Sequence, residues 1–391
     1  MNRKKAIWMT IPFLIIVFGF SIANILTPSK LESKEENRAL AQKPVLSEIG
    51  AKEYGTAYEK YYTDQFVLRD KLSKLYMLSE INLNKTEVKG YYLEDDWIFQ
   101  RNKLRLSEAD AKTYSDKINK YGKMLKDKGK DVYYASTPQK ENVLYSLMPW
   151  YSNLDVLVRN TNRFLSGINT GVINTINIRS EFLNSFSQDE IKDFYFKTDN
   201  HWNSVGAFEA FKFIMNNVSK NSNINVKIKN SDYTTKIIKG KDFLGIYNRN
   251  LYSIYTKNED IPYVYKKKSN KRDYYLHNGK EFEKVDADKI IAQGINSKEV
   301  TYPSAYTSSS IYYKVINNNA LINKKILIVR DSYHSAMSWM FEDIFKEVEV
   351  VDPRYIKDFN NTSEKLLENT DSDIVLFMFN DLGFVNMIDE L

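Results

Sequence analysis

The sequence predicts an α/β protein built on a mostly parallel sheet with helices on both faces. Two observations carry this expectation. From residue 131 to 218, and again from 324 to 379, short apolar runs rich in β-branched and aromatic residues alternate with longer helical patterns. The 391-residue length is also too great for one simple core, so one large domain with insertions, or two domains, is expected. In sheets of this kind ligands sit beyond the C-terminal strand ends, so polar motifs that follow strands are the places to look for chemistry.

Taken in chain order, Arg3, Lys4 and Lys5 precede an uncharged run of 21 residues over 6–26. That is long enough to cross a bilayer as a helix, and Pro12 is tolerable near its start. The basic cluster would keep the N-terminus in the cytoplasm and place everything after Leu26 outside. A signal peptide cleaved near Ser21-Ile22-Ala23 is the alternative, although the length fits an uncleaved anchor better. The expected organisation is therefore a cytoplasmic tip and transmembrane anchor over 1–27, and a body over 28–391. Residues 28–50 read as a polar tether, and 51–85 as a helical N-terminal region with Tyr54, Tyr58, Tyr61 and Tyr62 along one stripe.

A hairpin is expected at 90–100 and a helix at 107–128. Ser107 is that helix's N-cap, Asp110 lies three residues on, and Tyr114, Ile118, Tyr121 and Leu125 share a face. Strands follow at 131–135 and 172–178, a loop at Thr137-Pro138-Gln139-Lys140, and a helix at 156–165. A further helix at 204–218 turns Val205, Phe208, Phe211 and Met215 inward. Residues 220–318 are rich in Lys, Asn and Tyr and read as an irregular insertion or β-rich subdomain. The rhythm then resumes with strands at 325–329, 348–351 and 374–379, and helices at 333–345 and 363–368. There is no fixed-period repeat, no phosphate-cradling Walker sequence and no GxGxxG.

Composition removes several function classes. Hydrophobic residues make up 43% and charged residues 27%, which excludes a disordered, collagenous or coiled-coil chain. With no cysteine there are no disulfides, no Cys-ligated zinc, no iron–sulfur cluster and no thiol nucleophile. Only His201, His277 and His334 can supply imidazole, so a metal site built mainly on histidine is disfavoured and no metal or cofactor is expected. The net charge of +6 is spread along the chain; it does not argue for nucleic acid and is compatible with an acidic polymer.

Two segments carry chemistry. In KKILIVRDSYHSAMSWM, an apolar strand runs into Arg330-Asp331-Ser332 and a helix is expected at once. Ser332 would then be exposed at a strand-to-helix corner, with its own N–H at the positive end of a helix and able to stabilise an oxyanion. The plainer alternative is that Ser332 only caps the helix. In FKTDNHWNSV, Asp199 and His201 are two apart, so in an extended loop the carboxylate can reach and orient the imidazole. A solvated loop with an ordinary cap is the alternative there. Both segments lie between a predicted strand and a helix, so both can face the same sheet edge.

At these residues the sequence resembles a known family. TDNHWN is similar to the Asp-His-His-Trp (DHHW) signature of the AlgX/AlgJ-like polysaccharide O-acetyltransferases, which include the PatB-type cell-wall O-acetyltransferases. ILIVRDSYHSAM is similar to their Gly-Asp-Ser-Phe segment. Shorter matches are Glu36-Asn37-Arg38, Asp64-Gln65-Phe66, Arg69-Asp70, Thr137-Pro138-Gln139-Lys140 and Val351-Asp352-Pro353-Arg354. The resemblance covers most of 35–391 except 220–318. It implies an SGNH hydrolase-like fold with Asp-x-His ahead of Ser, Ser332 as nucleophile, His201 as base and Asp199 as its orienter. Asn200 departs from the signature between the proposed partners, and Arg330 and Tyr333 replace the Gly and Phe that flank Asp-Ser.

Around these residues, Trp202 is expected to pack beneath the site and fix its loop, or to stack on sugar. Lys140 and Asn142 are candidates for polar contacts to the acyl group or acceptor. Arg330 and Tyr333 are candidates for contacts with an acyl group or sugar. Asp331 is expected to anchor the turn by accepting backbone N–H bonds, His334 to be structural, and His277 to be an exposed surface residue. The resemblance then implies an extracytoplasmic, single-pass membrane O-acetyltransferase that moves acetyl through Ser332 onto sugar hydroxyls of a cell-wall polysaccharide or exopolysaccharide. It also implies a multi-span membrane-bound O-acyltransferase as the acetyl donor. A carbohydrate esterase or deacetylase with the same three residues, and a non-catalytic glycan-binding assembly protein, remain as alternatives.

Overall fold

The computed structural model describes residues 3–391 apart from 34, 37, 153–154, 255–258, 267–270, 293, 307–311 and 360. The chain divides into two compact units, residues 1–89 with 248–256, and residues 90–247 with 257–391.

The larger unit holds the expected sheet. Its strands, in chain order, are β1 (Asp131–Thr137), β2 (Asn174–Asn177), β3 (Asp273–His277), β4 (Phe282–Val285), β5 (Tyr312–Ile316), β6 (Ile322–Arg330), β7 (Phe345–Val351) and β8 (Ile374–Asn380). Across the sheet they run β4-β3-β5-β7-β6-β8-β1-β2. The five strands from β7 to β2 are parallel. Successive residues point to opposite faces, so the apolar runs feed two cores. Tyr133, Ile176, Ile326, Ile328 and Leu376 join one cluster, and Val132, Tyr134, Leu327, Val329 and Phe377 join the other.

Helices cover both faces. Helix Ser204–Asn221 packs Phe208, Phe211 and Met215 into the first core. Helix Glu108–Asp127 packs Ile118, Tyr121 and Leu125 into the second, and starts with the expected capping box between Ser107 and Asp110. The hairpin is also present, with Tyr91–Glu94 paired antiparallel to Trp97–Gln100.

Three expectations are corrected here. The 220–318 stretch is β-rich but does not stand wholly apart: Tyr233–Ile238 pairs with Ile261–Lys266 outside the sheet, whereas β3, β4 and β5 extend the sheet in antiparallel fashion, β5 pairing with β7. Charge obscured this strand in the sequence. Lys314, in the middle of β5, is neutralised across the strands by Glu347 at 2.9 Å and Glu349 at 3.5 Å. The helix expected over 333–345 is broken. A tight 3₁₀ turn, Ser332–Ala336, is followed by helix Ser338–Ile344, because Met337 at φ −122°, ψ 2° leaves the helical region. Ser332 therefore does not open a long helix, and the macrodipole argument for its N–H lapses.

The third correction falls in the smaller unit. Residues 28–50 are not a free tether. Glu32–Ser33 pairs with Arg38–Ala39, and a helix begins at Leu46. Arg38 grips Asp64 with two bonds of 2.6 and 2.9 Å, and Arg69 grips Glu36 at 2.7 Å. The hydrogen bond from Arg38 holds the Asp64 carboxyl down at about 2, against its burial. Of the short motifs in this region, Glu36, Arg38, Asp64 and Arg69 thus form one ion-pair network, while Asn37 lies outside the described residues. Helices Leu46–Gln65 and Arg69–Asn82 supply the expected helical region.

The first helix, Arg3–Leu26, forms, and its apolar side chains are exposed, Phe13 at 62% and Ile15 at 65% among them. Among the described residues, however, no helix is long and apolar enough to cross a membrane. The side chains of residues 3–7 and 9 lie outside the described set, which leaves Trp8 and residues 10–26 of the apolar run.

Candidate active site

The first segment folds into a closed loop. Tyr195 and Trp202 form an isolated antiparallel bridge, and the His201 carbonyl accepts the Phe196 N–H. Asn203 then caps helix Ser204–Asn221 by accepting the N–H groups of Val205 and Gly206 at 2.8 and 3.3 Å. Asp199 and His201 are thereby held on a tight turn at the sheet's C-terminal edge.

The second segment reaches the same edge from β6. Asp331 lies just past the strand and its carboxylate ties the turn. It accepts the Tyr333 N–H at 2.9 Å, and both the backbone N–H and the side-chain amide of Asn380 at 2.6 Å. Burial raises the Asp331 carboxyl despite these bonds. Ser332 is the exposed point of this turn, half-buried between the fully packed Asp331 and Tyr333.

The structure brings Ser332, His201 and Asp199 into one line. The Ser332 Oγ lies 2.7 Å from His201 Nε2, and His201 Nδ1 lies 2.7 Å from Asp199 Oδ1. The same Oδ1 accepts the His201 backbone N–H at 3.1 Å, and Oδ2 accepts the Ile246 N–H at 2.8 Å. Burial would raise the Asp199 carboxyl. The bonds from the His201 ring and from the two backbone N–H groups outweigh it and hold Asp199 below its ordinary value. Asp199 thus stays an anion that fixes the Nδ1–H tautomer and leaves Nε2 to accept from the serine hydroxyl.

Several residues that sequence reasoning missed hold this geometry, and they come from 220–318. Tyr302 lies flat on the His201 ring, with centroids 3.8 Å apart and planes 6° from parallel. Glu259 accepts the Thr198 N–H at 2.9 Å and also bonds the Lys197 N–H and the Thr198 hydroxyl. Gly245 lets the chain approach close enough for Ile246 to reach Asp199: a Cβ there would lie 2.4 Å from the Thr198 carbonyl oxygen. Gly245 is one of four glycines in 220–318, and nothing local in the sequence sets it apart from the others.

The residues expected to touch substrate are corrected to supporting roles, because the structure buries them. Lys140 is fully buried. Its ammonium donates to the carbonyls of Phe196 and Lys197 at 3.0 and 2.6 Å and lies 4.9 Å from the Tyr247 ring centre. Burial pulls it down to about 8, partly offset by Glu141, Glu259 and Asp199. Asn142 donates to Asp381 and accepts from Arg179 at 3.0 Å. Trp202 is buried and donates its indole N–H to the Tyr333 carbonyl at 2.9 Å, which matches the packing role and removes the sugar-stacking one. Tyr333, also buried, donates its hydroxyl to the Asn200 carbonyl at 2.6 Å. Those two bonds latch the histidine loop to the serine turn. Arg330 is turned toward Asp352, at 3.3 Å.

Of the other histidines, His334 is buried beside Phe341, and burial together with Arg330 pushes it well below its ordinary value, so it stays neutral. His277 is not the exposed residue expected. It is half-buried and stacked on Tyr312 with centroids 4.7 Å apart. No group of three or more His, Asp or Glu side chains among the described residues is placed to hold a metal ion.

A strand-edge serine bonded to an imidazole that is bonded to a buried carboxylate is a geometry suited to nucleophilic acyl chemistry, and it recurs on unrelated folds. Residues 93–273 match the family described as the SGNH hydrolase-like domain of acetyltransferase AlgX. The match includes Asp199 and His201; Ser332 lies beyond it and is brought to them by the fold. PatB1 of Bacillus cereus is 24% identical with a TM-score of 0.68, over 75% of this chain and 96% of its own. The same protein with a sulfonyl adduct gives 23% and 0.67, over 75% and 95%. A DHHW family protein of Eubacterium siraeum gives 18% and 0.55, over 78% and 93%. These likenesses concern the fold. No curated protein matches.

Proposed function

We propose that this chain is an extracytoplasmic O-acetyltransferase that carries an acetyl group on Ser332 to a sugar hydroxyl of a cell-wall polysaccharide or exopolysaccharide. The observation that carries the reading is the hydrogen-bonded line from Asp199 through His201 to a half-exposed Ser332. The AlgX-type acetyltransferase match over 93–273 supports acetyl transfer over other acyl chemistry.

The hydrogen-bonded line supports a two-step transfer. His201 Nε2 takes the Ser332 proton as Oγ attacks the acetyl carbonyl of the donor. Collapse of the tetrahedral adduct breaks the bond to the donor's leaving group, which receives the proton from Nε2. A sugar hydroxyl then gives its proton to Nε2 and attacks the acetyl-serine carbonyl. Collapse releases the acetylated sugar, and the proton returns to Ser332 Oγ. Asp199 steadies the imidazolium in both halves and stays ionised. The acetyl donor in this reading is a multi-span membrane-bound O-acyltransferase. The exposed apolar side chains of helix Arg3–Leu26 support attachment at a lipid surface, and the basic Arg3, Lys4 and Lys5 ahead of them support the extracytoplasmic side of this reading.

The test is turnover of an activated acetyl ester, with and without an oligosaccharide acceptor. Acetylated sugar should form faster than free acetate. Rapid acetate release indifferent to every sugar would replace the transferase with an esterase.

A further inference from the structure

The smaller unit turns an apolar face outward. Helix Arg69–Asn82 packs through Met77 and Glu80, both buried. The side opposite Met77, which a surface helix usually fills with charge, carries leucine. Leu72, Leu75, Tyr76 and Leu83 are all exposed, Leu75 at 64% and Leu83 at 72%. At about 100° per residue their positions fall in one stripe about 100° wide, the width that normally faces a core. Lys71 and Lys74, also exposed, lie along one margin. A single exposed leucine is ordinary, but a continuous exposed stripe marks a contact surface.

Leu68, just before the helix, adds to this face in an unusual way. It sits at φ 61°, ψ 11°, in the left-handed region that glycine or asparagine adopts more readily. Its carbonyl accepts the Leu72 N–H at 2.9 Å, so the turn opens the helix. Glycine would serve the shape of that turn with less strain. Leucine keeps one more apolar side chain, 48% exposed, at the head of the stripe.

The neighbouring helix indicates what covers the face. The turn ahead of Leu68 packs on the end of helix Arg3–Leu26. The Phe66 ring stacks on Phe20 with centroids 5.6 Å apart, and the Val67 N–H donates to the Asn24 side-chain oxygen at 2.9 Å. The leucine face thus begins one residue from the exposed apolar surface of the first helix and continues it. A lipid surface that received the first helix would meet Leu68 and Leu72 next.

The polar groups of the stripe point to the same partner. The Tyr76 hydroxyl donates to Glu80 at 2.6 Å, and the Ser79 hydroxyl to the Tyr76 carbonyl at 2.6 Å. Asp70, near the start of the helix, is paired with Arg69 at 3.1 Å and Lys30 at 3.4 Å. Such a face offers a protein partner little to hydrogen-bond. It suits hydrocarbon, where polar groups must find partners within the chain, while the marginal lysines suit anionic headgroups.

We propose that residues 68–83 form an interfacial helix, with Leu68, Leu72, Leu75, Tyr76 and Leu83 entering the edge of a lipid bilayer and Lys71 and Lys74 at its headgroups. The inference rests on the lipid-surface part of the function proposed above and is independent of acetyl transfer. A second lipid contact fixes how the smaller unit sits on the surface, which a single helix does not.

The chain has no cysteine, so single nitroxide labels can be placed one at a time on the full chain. The chain is reconstituted into vesicles of phosphatidylglycerol and phosphatidylethanolamine with no other protein, and labels are scanned through 69–83. Collisions with oxygen, which enters lipid, and with a nickel chelate, which stays in water, are measured at each. The account predicts opposed profiles: oxygen highest and nickel lowest at Leu72→Cys, Leu75→Cys and Leu83→Cys, with an oxygen-to-nickel ratio severalfold above that at Lys74→Cys. Ser79→Cys repeats the reading on the same face with no leucine lost. Oxygen and nickel collisions that peak together would put the face in water, and both low together would put it under a second copy of the chain. Either result would overturn the proposal. A label at Phe13→Cys, on the first helix, is scored beside the scan. Lipid at Phe13 with water at Leu75 would overturn the interfacial helix and leave the lipid-attachment reading standing; lipid at Leu75 with water at Phe13 would do the reverse.

Discussion

Ser332 and His201 meet at 2.7 Å, yet the two are fixed by different parts of the chain. The serine turn is held by the sheet itself. The Asp331 N–H bonds the Met378 carbonyl of β8, and the Asp331 carboxylate takes both N–H donors of Asn380. The histidine loop is held by residues remote in sequence: Ile246 and Glu259, the Tyr302 ring and the buried Lys140 ammonium. The serine position thus follows from strand order, which the parallel core dictates. The histidine position depends on how 220–318 closes over it. A change to that stretch should therefore disturb the base and spare the nucleophile.

The largest expected effect strikes both corners at their meeting point. Ser332→Ala and His201→Ala should each lower acetyl-ester turnover by about three to four orders of magnitude or more, and the double variant should lose little beyond that, because residues of such a unit are not additive. Turnover by purified variants, with circular dichroism to confirm folding, checks this. Asp199→Asn should cost about as much, since it leaves the imidazole in the wrong tautomer.

A smaller effect separates the corners. Glu259→Ala strips the acceptor from the Thr198 and Lys197 N–H groups, and should lower turnover roughly ten- to a hundredfold while destabilising the fold by about 1–3 kcal/mol. Tyr302→Leu removes the ring on which His201 lies and should cost about tenfold; Tyr302→Phe keeps the ring and should stay near wild type. If these variants altered the reactivity of Ser332 toward a fluorophosphonate no more than surface substitutions do, the base would not depend on the 220–318 stretch in the way described.

The smallest effect is one of sign with pH. Asp199 is held below its ordinary value, so it contributes stability that is present above the unfolded value and lost as pH falls through the folded one. Asp381, behind the serine turn, is raised by burial to about 7. It contributes stability that is fully present below the ordinary Asp range and lost as pH rises toward and past 7. Denaturant unfolding of wild type against Asp381→Asn should therefore show the wild type losing stability from pH 5 to 8 relative to the variant, by an order of 1–3 kcal/mol. Parallel curves over that range would mean that Asp381 is not held protonated by its surroundings.

The contrast between corners also explains what could be read from the sequence. Strands β1, β6 and β8 and helices Glu108–Asp127 and Ser204–Asn221 were legible because their periodicity and caps are local. So was the meeting of Ser332 with Asp199 and His201, through the resemblance of both segments to one family's signature; the strand expected ahead of Asp199 is absent, since that loop follows helix Gln188–Lys192. The 3₁₀ turn after Asp331 was not legible, since its break at Met337 comes from tertiary packing and leaves the apolar pattern unchanged. Lys140, Asn142, Trp202, Arg330 and Tyr333 looked like substrate contacts because polar and aromatic residues near a site usually face it. Burial turned each of them inward, and no local pattern encodes that. Strand β5 hid behind Lys314, whose partners lie on β7, and the embrace of His201 by Tyr302 joins residues a hundred apart.

The most direct test is to locate the acetyl group. The enzyme is mixed with an activated acetyl ester, without sugar, quenched in acid within seconds, digested and analysed by mass spectrometry. The account predicts acetyl on the peptide carrying Ser332, on the serine oxygen itself, absent from Ser332→Ala and discharged when an oligosaccharide acceptor is added before the quench. Stoichiometric acetyl on any other residue, or turnover that persists in Ser332→Ala, would contradict it.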